Sequence, residues 1–221
     1  ILKRVPWGAG MGGGSSDAAT TLLALNHLWG LHWPRQQLTR IGLTLGADVP
    51  FFLLGRHALV QGIGERLTPM SLQPMQLAVV KPPATIPTRD IFKHPLLKRD
   101  AQTVIVSGFP EGAEQEQVGW PLSWGAEGSV QAMSFGRNDL QPAAVDRCPE
   151  VAQAARWLQA RYGNSRMTGS GSAVFARVGF AGMAGVGASP LATFPADELP
   201  PDWVGRLCHS LVEHPLRGWA G

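Results

Sequence analysis

Five glycines stand between Gly8 and Gly14 in the stretch PWGAGMGGGSSDAAT, and Ser15, Ser16 and Asp17 follow at once. Glycine has no Cβ and accepts positive φ, so a backbone built from it can close tightly around a ligand. Successive N–H groups in such a loop form a concave nest for an anion. Ser15, Ser16 and Asp17 are residue types that cap helices, and behind them Ala18, Leu22, Leu25 and Trp29 share one helical face up to a stop at Gly30. The loop therefore feeds a helix N-terminus, where unpaired donors and the helix dipole favour negative charge. Phosphate binding is the expected chemistry, with a serine hydroxyl adding a phosphate contact or a magnesium ligand. A flexible Gly/Ser linker is the alternative, but a patterned helix opening directly on the loop argues against it.

Two familiar phosphate motifs do not fit. Gly8, Gly10 and Gly13 satisfy GxGxxG, but Pro6 interrupts the lead-in strand and no acid stands near Trp33 and Pro34. The loop ends in Gly-Ser-Ser, without the lysine of a P-loop.

Asp48 is the next residue of chemical interest. It lies between a helix stop at Gly46 and Pro50, ahead of the apolar residues 51–54. A carboxylate in that setting serves as a general base or orients a hydroxyl; a turn or N-cap aspartate is the equal alternative. Glu65, in GIGERL, reads as a strand-end turn residue, and His27 as structural. His57 and His94 lack metal-ligand spacing. A second glycine loop, Thr168-Gly169-Ser170-Gly171-Ser172, is either a strand-entry turn or the support of a composite site across a domain cleft.

The elements that must position these residues are legible in part. Leu38, Ile41 and Leu45 predict a helix over 35–45, begun by Pro34 and closed by Gly46. Residues 51–54 and 57–61 read as short buried strands, and 76–81 as a strand after a Pro-rich boundary at 68–74. Pro82, Pro83 and Pro87 make a rigid connection to TRDIFK. Pro149, the face Val151, Ala155, Leu158 and Tyr162, and the stop at Gly163 predict a helix over 149–162. A short helix is expected over 202–212 and a loop over 179–195, while 100–137 shows no period.

Composition sets the frame. The 221 residues are 44% hydrophobic and 16% charged, with a net charge of +3. That suits a globular protein with an anionic small-molecule substrate, and no basic run or nucleic-acid signature appears. Cys148 and Cys208 make neither a disulfide framework nor a metal cluster, so a reducing compartment is expected. No apolar run reaches membrane-spanning length. ILKRV reads as a strand into the loop, and a chain that reaches the loop so early reads as truncated at its start.

PWGAGMGGGSSDAAT resembles the phosphate-binding motif of the GHMP small-molecule kinases, of general form PxGxGLGSSAA. Its SSDAA expansion, with LTLGADVPFFLLG, GIGERLTP, IPTRDIFK and FGRNDLQPAA, resembles the branch that acts on a cytidine diphosphate-linked methylerythritol. MTGSGSAVFA resembles the third motif of the family, and HPLRGWA its chain end. The likeness covers nearly the whole chain.

The resemblance implies an α+β, two-domain GHMP kinase fold. A partial N-terminal ribosomal-S5-like α/β domain would occupy residues 1–72, and a C-terminal ferredoxin-like α/β domain residues 73–221. It implies ATP-dependent phosphorylation of the acceptor's 2-hydroxyl, with Mg2+, in non-mevalonate isoprenoid synthesis. Pro6, Trp7, Gly8, Ala9, Gly10, Met11, Gly12, Gly13, Gly14, Ser15 and Ser16 would wrap the ATP phosphates, with Ser16 also the magnesium contact. Asp48 matches the catalytic aspartate; Thr88, Phe92 and Lys93 match the segment that holds the cytidine end, with Phe92 stacking on the base. Gly169, Ser170 and Gly171 match the supporting loop. The family's catalytic lysine belongs to an upstream segment, and Lys3 does not match it. A cytoplasmic monomer or weak homodimer, without nucleic-acid or membrane partners, is the implied setting. Another GHMP kinase and a non-catalytic nucleotide-binding remnant remain as alternatives.

Overall fold

The computed structural model describes residues 4–69, 75–97, 137–178 and 193–220. They fall into two compact units: a sheet unit of 4–11, 75–97, 137–178 and 193–210, and a helical unit of 12–69 and 211–220. The unreadable stretch 100–137 and the expected loop 179–195 lie almost wholly outside the described residues.

The helical unit begins with α1 (Gly13–Leu28), α2 (Arg35–Leu45) and α3 (Val49–Leu54), followed by the hairpin strands β1 (Ala58–Gln61) and β2 (Arg66–Pro69). α2 runs as expected from Pro34 to Gly46. α1 differs from the expectation. Its N-cap is Gly12 in the left-handed region, at φ 65°, so Ser15, Ser16 and Asp17 lie inside the first turns and do not cap. The buried face is then Ala19, Leu23 and Asn26, one position along, and Trp29 is 66% exposed. Residues 51–54 are helical, not a strand. Pro50 occupies the first helical turn, Gly55 the left-handed C-cap, and a four-residue apolar run carries no period that tells helix from strand.

Leu23, Leu38, Val49 and Leu53 form the core of this unit. Gly42 allows α3 close to α2, since a Cβ there would meet Leu53 Cδ1 and Val49 Cγ1 at 2.9 Å. Polar side chains then tie in the tail at 211–220. Buried Asn26 donates through Nδ2 to the carbonyls of Trp33 and Trp219, and accepts the Trp33 N–H at 2.9 Å. Arg35 donates to the carbonyls of Leu53, Arg217 and Ala220. His27 stacks on Trp219 with ring centroids 4.4 Å apart, in keeping with a structural role.

The sheet unit holds β3 (Gln76–Lys81), α4 (Thr88–Phe92), α5 (Gln141–Arg147), α6 (Pro149–Tyr162), β4 (Arg166–Met167), β5 (Val174–Val178) and β6 (Val204–His209). The strands form one sheet in the order β4-β5-β3-β6, antiparallel throughout. That is the strand order of a ferredoxin-like sheet, with the βαβ crossover from β3 to β4 made through α6. Ala78 opposes Ala176 and Val80 opposes Val174, so alternate residues of both central strands share one buried face. α6 covers it with Val151, Ala154 and Leu158.

The expected helix at 202–212 is the strand β6. Val204, Leu207 and Leu211 suggest helical spacing, but pairing with β3 decides the conformation. Gly205 lies under the Phe194 ring, where a Cβ would come within 2.0 Å of the ring.

Candidate active site

In the sheet unit, the first half of the N-terminal glycine loop lies along the second glycine loop. Ser172 N–H donates to the Gly8 carbonyl at 3.3 Å, and Ala173 N–H to that of Ala9 at 3.1 Å. Thr168 Oγ1 donates to the Gly10 carbonyl at 3.0 Å. The backbones touch so closely that glycine is required on both sides. A Cβ on Gly10, at φ +70°, would stand 2.3 Å from the Thr168 carbonyl oxygen, and one on Gly169 would stand 2.6 Å from that of Gly10. Gly169, Ser170 and Gly171 thus belong to a loop that backs residues 8–10. Both stretches lie within one unit, whereas the composite-site expectation set them across a domain cleft.

The side chains that shape the second loop were partly missed by sequence reasoning. Asn138 donates through Nδ2 to the carbonyls of Met167 at 2.8 Å and Gly169 at 2.7 Å. Its Oδ1 accepts the Leu140 N–H at 3.0 Å. That Asx turn was legible in NDLQP as a turn signal, not as a contact 31 residues away. Ser172 Oγ donates to the Ala84 carbonyl.

Residues 88–93, the segment expected to hold the acceptor, lie in the same unit. Thr88 opens α4, and its Oγ1 lies 2.8 Å from Ser170 Oγ, joining that segment to the second loop. Phe92 is 50% exposed and Lys93 is exposed beside it. Behind them, Ile91 is fully buried, and Asp90 and His94 pair with Arg147 (3.3 Å) and Asp146 (3.2 Å) of α5. His94, just past α4, thus ties this segment to α5.

In the helical unit, Gly12, Gly13, Gly14, Ser15 and Ser16 form the N-cap and first turn of α1. The Phe52 ring presses on Gly12, where a Cβ would come within 2.9 Å of Cζ. Gly46 lies beside the Ser15 hydroxyl, so the turn that carries Asp48 meets the start of α1. Asp48 occupies the N-cap position of α3 in a helical conformation and makes no cap hydrogen bond. Its carboxylate is exposed, with no hydrogen-bond or ion-pair partner among the described residues. Ala47 is braced by the β1–β2 turn, where Gly64 approaches its carbonyl. Glu65 holds that turn together: its own backbone N–H and that of Ile63 keep its carboxyl below the ordinary glutamate range. The turn reading of Glu65 therefore stands.

Residues 1–56 match the family model "GHMP kinases N terminal domain", and residues 128–179 match "GHMP kinases C terminal". Together with the ferredoxin-like sheet and the two glycine loops, these matches define the class as the GHMP kinases. A 4-diphosphocytidyl-2-C-methyl-D-erythritol kinase of Methylibium petroleiphilum is 53% identical over 100% of this chain and 69% of its own length. One of Verminephrobacter eiseniae is 51% identical, with the same coverage. A solved structure of 4-(cytidine 5'-diphospho)-2C-methyl-D-erythritol kinase superposes with a TM-score of 0.60 at 36% identity, covering 80% of this chain and 59% of that one. The chain belongs to the 4-diphosphocytidyl-2-C-methyl-D-erythritol kinase family.

No helix among the described residues is long and apolar enough to cross a membrane.

Proposed function

We propose that this chain carries the ATP-binding loop and the catalytic aspartate of a kinase that phosphorylates the 2-hydroxyl of 4-diphosphocytidyl-2-C-methyl-D-erythritol, in the non-mevalonate route to isoprenoids. The observation that carries the reading is the identity of 53% to a kinase of that name over the whole chain. The local geometry agrees. Residues 6–16 run as one glycine-rich stretch into the N-terminus of α1, where N–H groups and the helix dipole attract phosphate. Asp48 has free lone pairs to accept the proton of an acceptor hydroxyl. Thr88, Phe92 and Lys93 hold the cytidine end, with the Phe92 ring stacking on the base.

Phosphoryl transfer is mainly a matter of positioning and charge stabilisation. The Ser15 and Ser16 hydroxyls in the first turn of α1 are hard oxygen donors of the kind a magnesium ion would accept beside phosphate and water. Ser16 would hold it, and when bound it neutralises phosphate charge. The second glycine loop, Gly169, Ser170 and Gly171, fixes the backbone at Gly10. The evolutionary domains divide at 1–72 and 73–221. The setting is a cytoplasmic monomer or weak homodimer acting on a small molecule, without nucleic acid.

The test follows ADP release from ATP and magnesium by the protein expressed from its whole reading frame, with and without the acceptor, beside Asp48→Asn. Acceptor-dependent release that the variant loses, with ATP binding retained, is the expected result. Release that depends on homoserine or a sugar instead, or an Asp48→Asn variant as fast as the parent, overturns the assignment.

A further inference from the structure

Lys81 ends β3 with 7% of its surface exposed and no carboxylate paired to it among the described residues. A buried ammonium is costly unless its donors are satisfied, and burial holds this one below the ordinary lysine value. Its Nζ donates to the carbonyls of Pro82 at 2.6 Å and Ala84 at 2.7 Å. Ending a strand needs no such charge; an apolar side chain would fill the space without the desolvation cost.

The Ala84 carbonyl explains its presence. The same oxygen accepts the Ser172 hydroxyl, and Ser172 N–H donates to the Gly8 carbonyl. The next residue, Thr85, places its Cγ2 methyl where a Cβ of Gly8 would lie, at 2.3 Å. Gly8 is thus held from two sides, by Ser172 and by Thr85, and both depend on where residue 84 sits.

We propose that Lys81 is a positioning residue of the phosphate loop: it anchors the Ala84 carbonyl, through which Ser172 and Thr85 set the backbone at Gly8. This rests on the reading that residues 6–16 bind nucleotide phosphates.

The test titrates magnesium ADP calorimetrically into the protein expressed from its whole reading frame, and into Lys81→Met, Ser172→Ala and the double variant. Each single change is expected to weaken ADP about tenfold, the scale of one intramolecular hydrogen bond. The double variant is expected to be no more than about threefold weaker than either, because both act through one carbonyl. The KM for ATP is expected to rise with the ADP dissociation constant while kcat changes less than about twofold, a split that loss of stability alone does not produce. A folded Lys81→Met with parental ADP affinity, or losses that multiply to about a hundredfold in the double variant, overturns the proposal. If Lys81→Met does not fold, Ser172→Ala decides alone: a tenfold loss supports the proposal and parental affinity overturns it. A parent that binds no ADP overturns the nucleotide reading and this inference with it; a binding parent with unaffected variants overturns this inference alone.

Discussion

Gly10→Ala is the sharpest test of how the two glycine loops are built. Gly10 sits at φ +70°, and a Cβ there would meet the Thr168 carbonyl oxygen at 2.3 Å and the Gly171 nitrogen at 2.7 Å. Both obstacles are backbone atoms, so no rotamer change relieves the clash. The left-handed conformation costs an alanine roughly 1–2 kcal/mol, and forcing apart a packed contact costs about 1–3 kcal/mol more. A loss of about 3 kcal/mol follows. For a chain of this size that is roughly 6–12 °C in melting temperature, at about 2–4 °C per kcal/mol. Gly14→Ala is the matched control: it lies inside α1, and a Cβ there has nothing within 4 Å. Alanine in a helix is favoured over glycine by about 0.5–1 kcal/mol, so this variant is expected to melt no lower than the parent. Thermal unfolding followed by circular dichroism reads both. A Gly10→Ala protein melting within about 1 °C of the parent would refute the close apposition of the loops, because roughly 3 kcal/mol cannot vanish at a backbone contact of this kind.

Three further outcomes are expected. Arg35→Met removes the donors to the carbonyls of Leu53, Arg217 and Ala220, and should cost about 2–4 kcal/mol in urea unfolding and open the tail at 211–220 to limited proteolysis. Asn138→Ala leaves the carbonyls of Met167 and Gly169 without their donor; the Thr168 and Gly171 amides, protected within that loop, should then exchange faster with deuterium, while those of α2 do not. Glu213 is held below the ordinary value of 4.5, first by its hydrogen bond from Arg56 and further by Arg217. A depressed carboxyl stabilises the fold at pH above its unfolded value and loses that contribution as pH falls through its folded value, so Glu213→Gln should flatten the loss of stability below about pH 4.5 and leave the slope of stability against pH between pH 8 and pH 9 unchanged.

How much of this was legible depended on whether a signal was local. The helices over 35–45 and 149–162 were readable to the residue, because proline at the start and glycine at the end are chemical punctuation that works in isolation. The Asp48 turn was readable for the same reason, between Gly46 and Pro50. Residues 51–54 and 204–209 were assigned the wrong type. In the first, four apolar residues carry no period. In the second, pairing with a strand more than a hundred residues earlier and the approach of Phe194 to Gly205 override the local pattern. α4, α5 and β2 are too short to show a period in the sequence. The contacts of Asn138 and Ser172 were invisible because their partners are distant: the bond from Ser172 reaches 88 residues back to Ala84.

The glycine loop itself shows what a motif conceals. Read as sequence, its glycines have one purpose, to wrap a phosphate. In the structure three of them have neighbours of their own. Gly8 makes room for the Thr85 methyl, Gly10 for the backbone of the second loop, and Gly12 both caps α1 at positive φ and carries the Phe52 ring. Gly14 alone of these has open space where a side chain would be. Three of the four are therefore demanded by the packing of the chain on itself, whatever it binds. The glycine content that first suggested an anion site is in large part the means by which the loop is held still. A loop that is to bind phosphate through backbone N–H groups gains from that immobility, because its donors are already fixed when the ligand arrives. Packing and binding thus make the same demand on the sequence at different residues, and only the neighbours of each glycine tell the two apart.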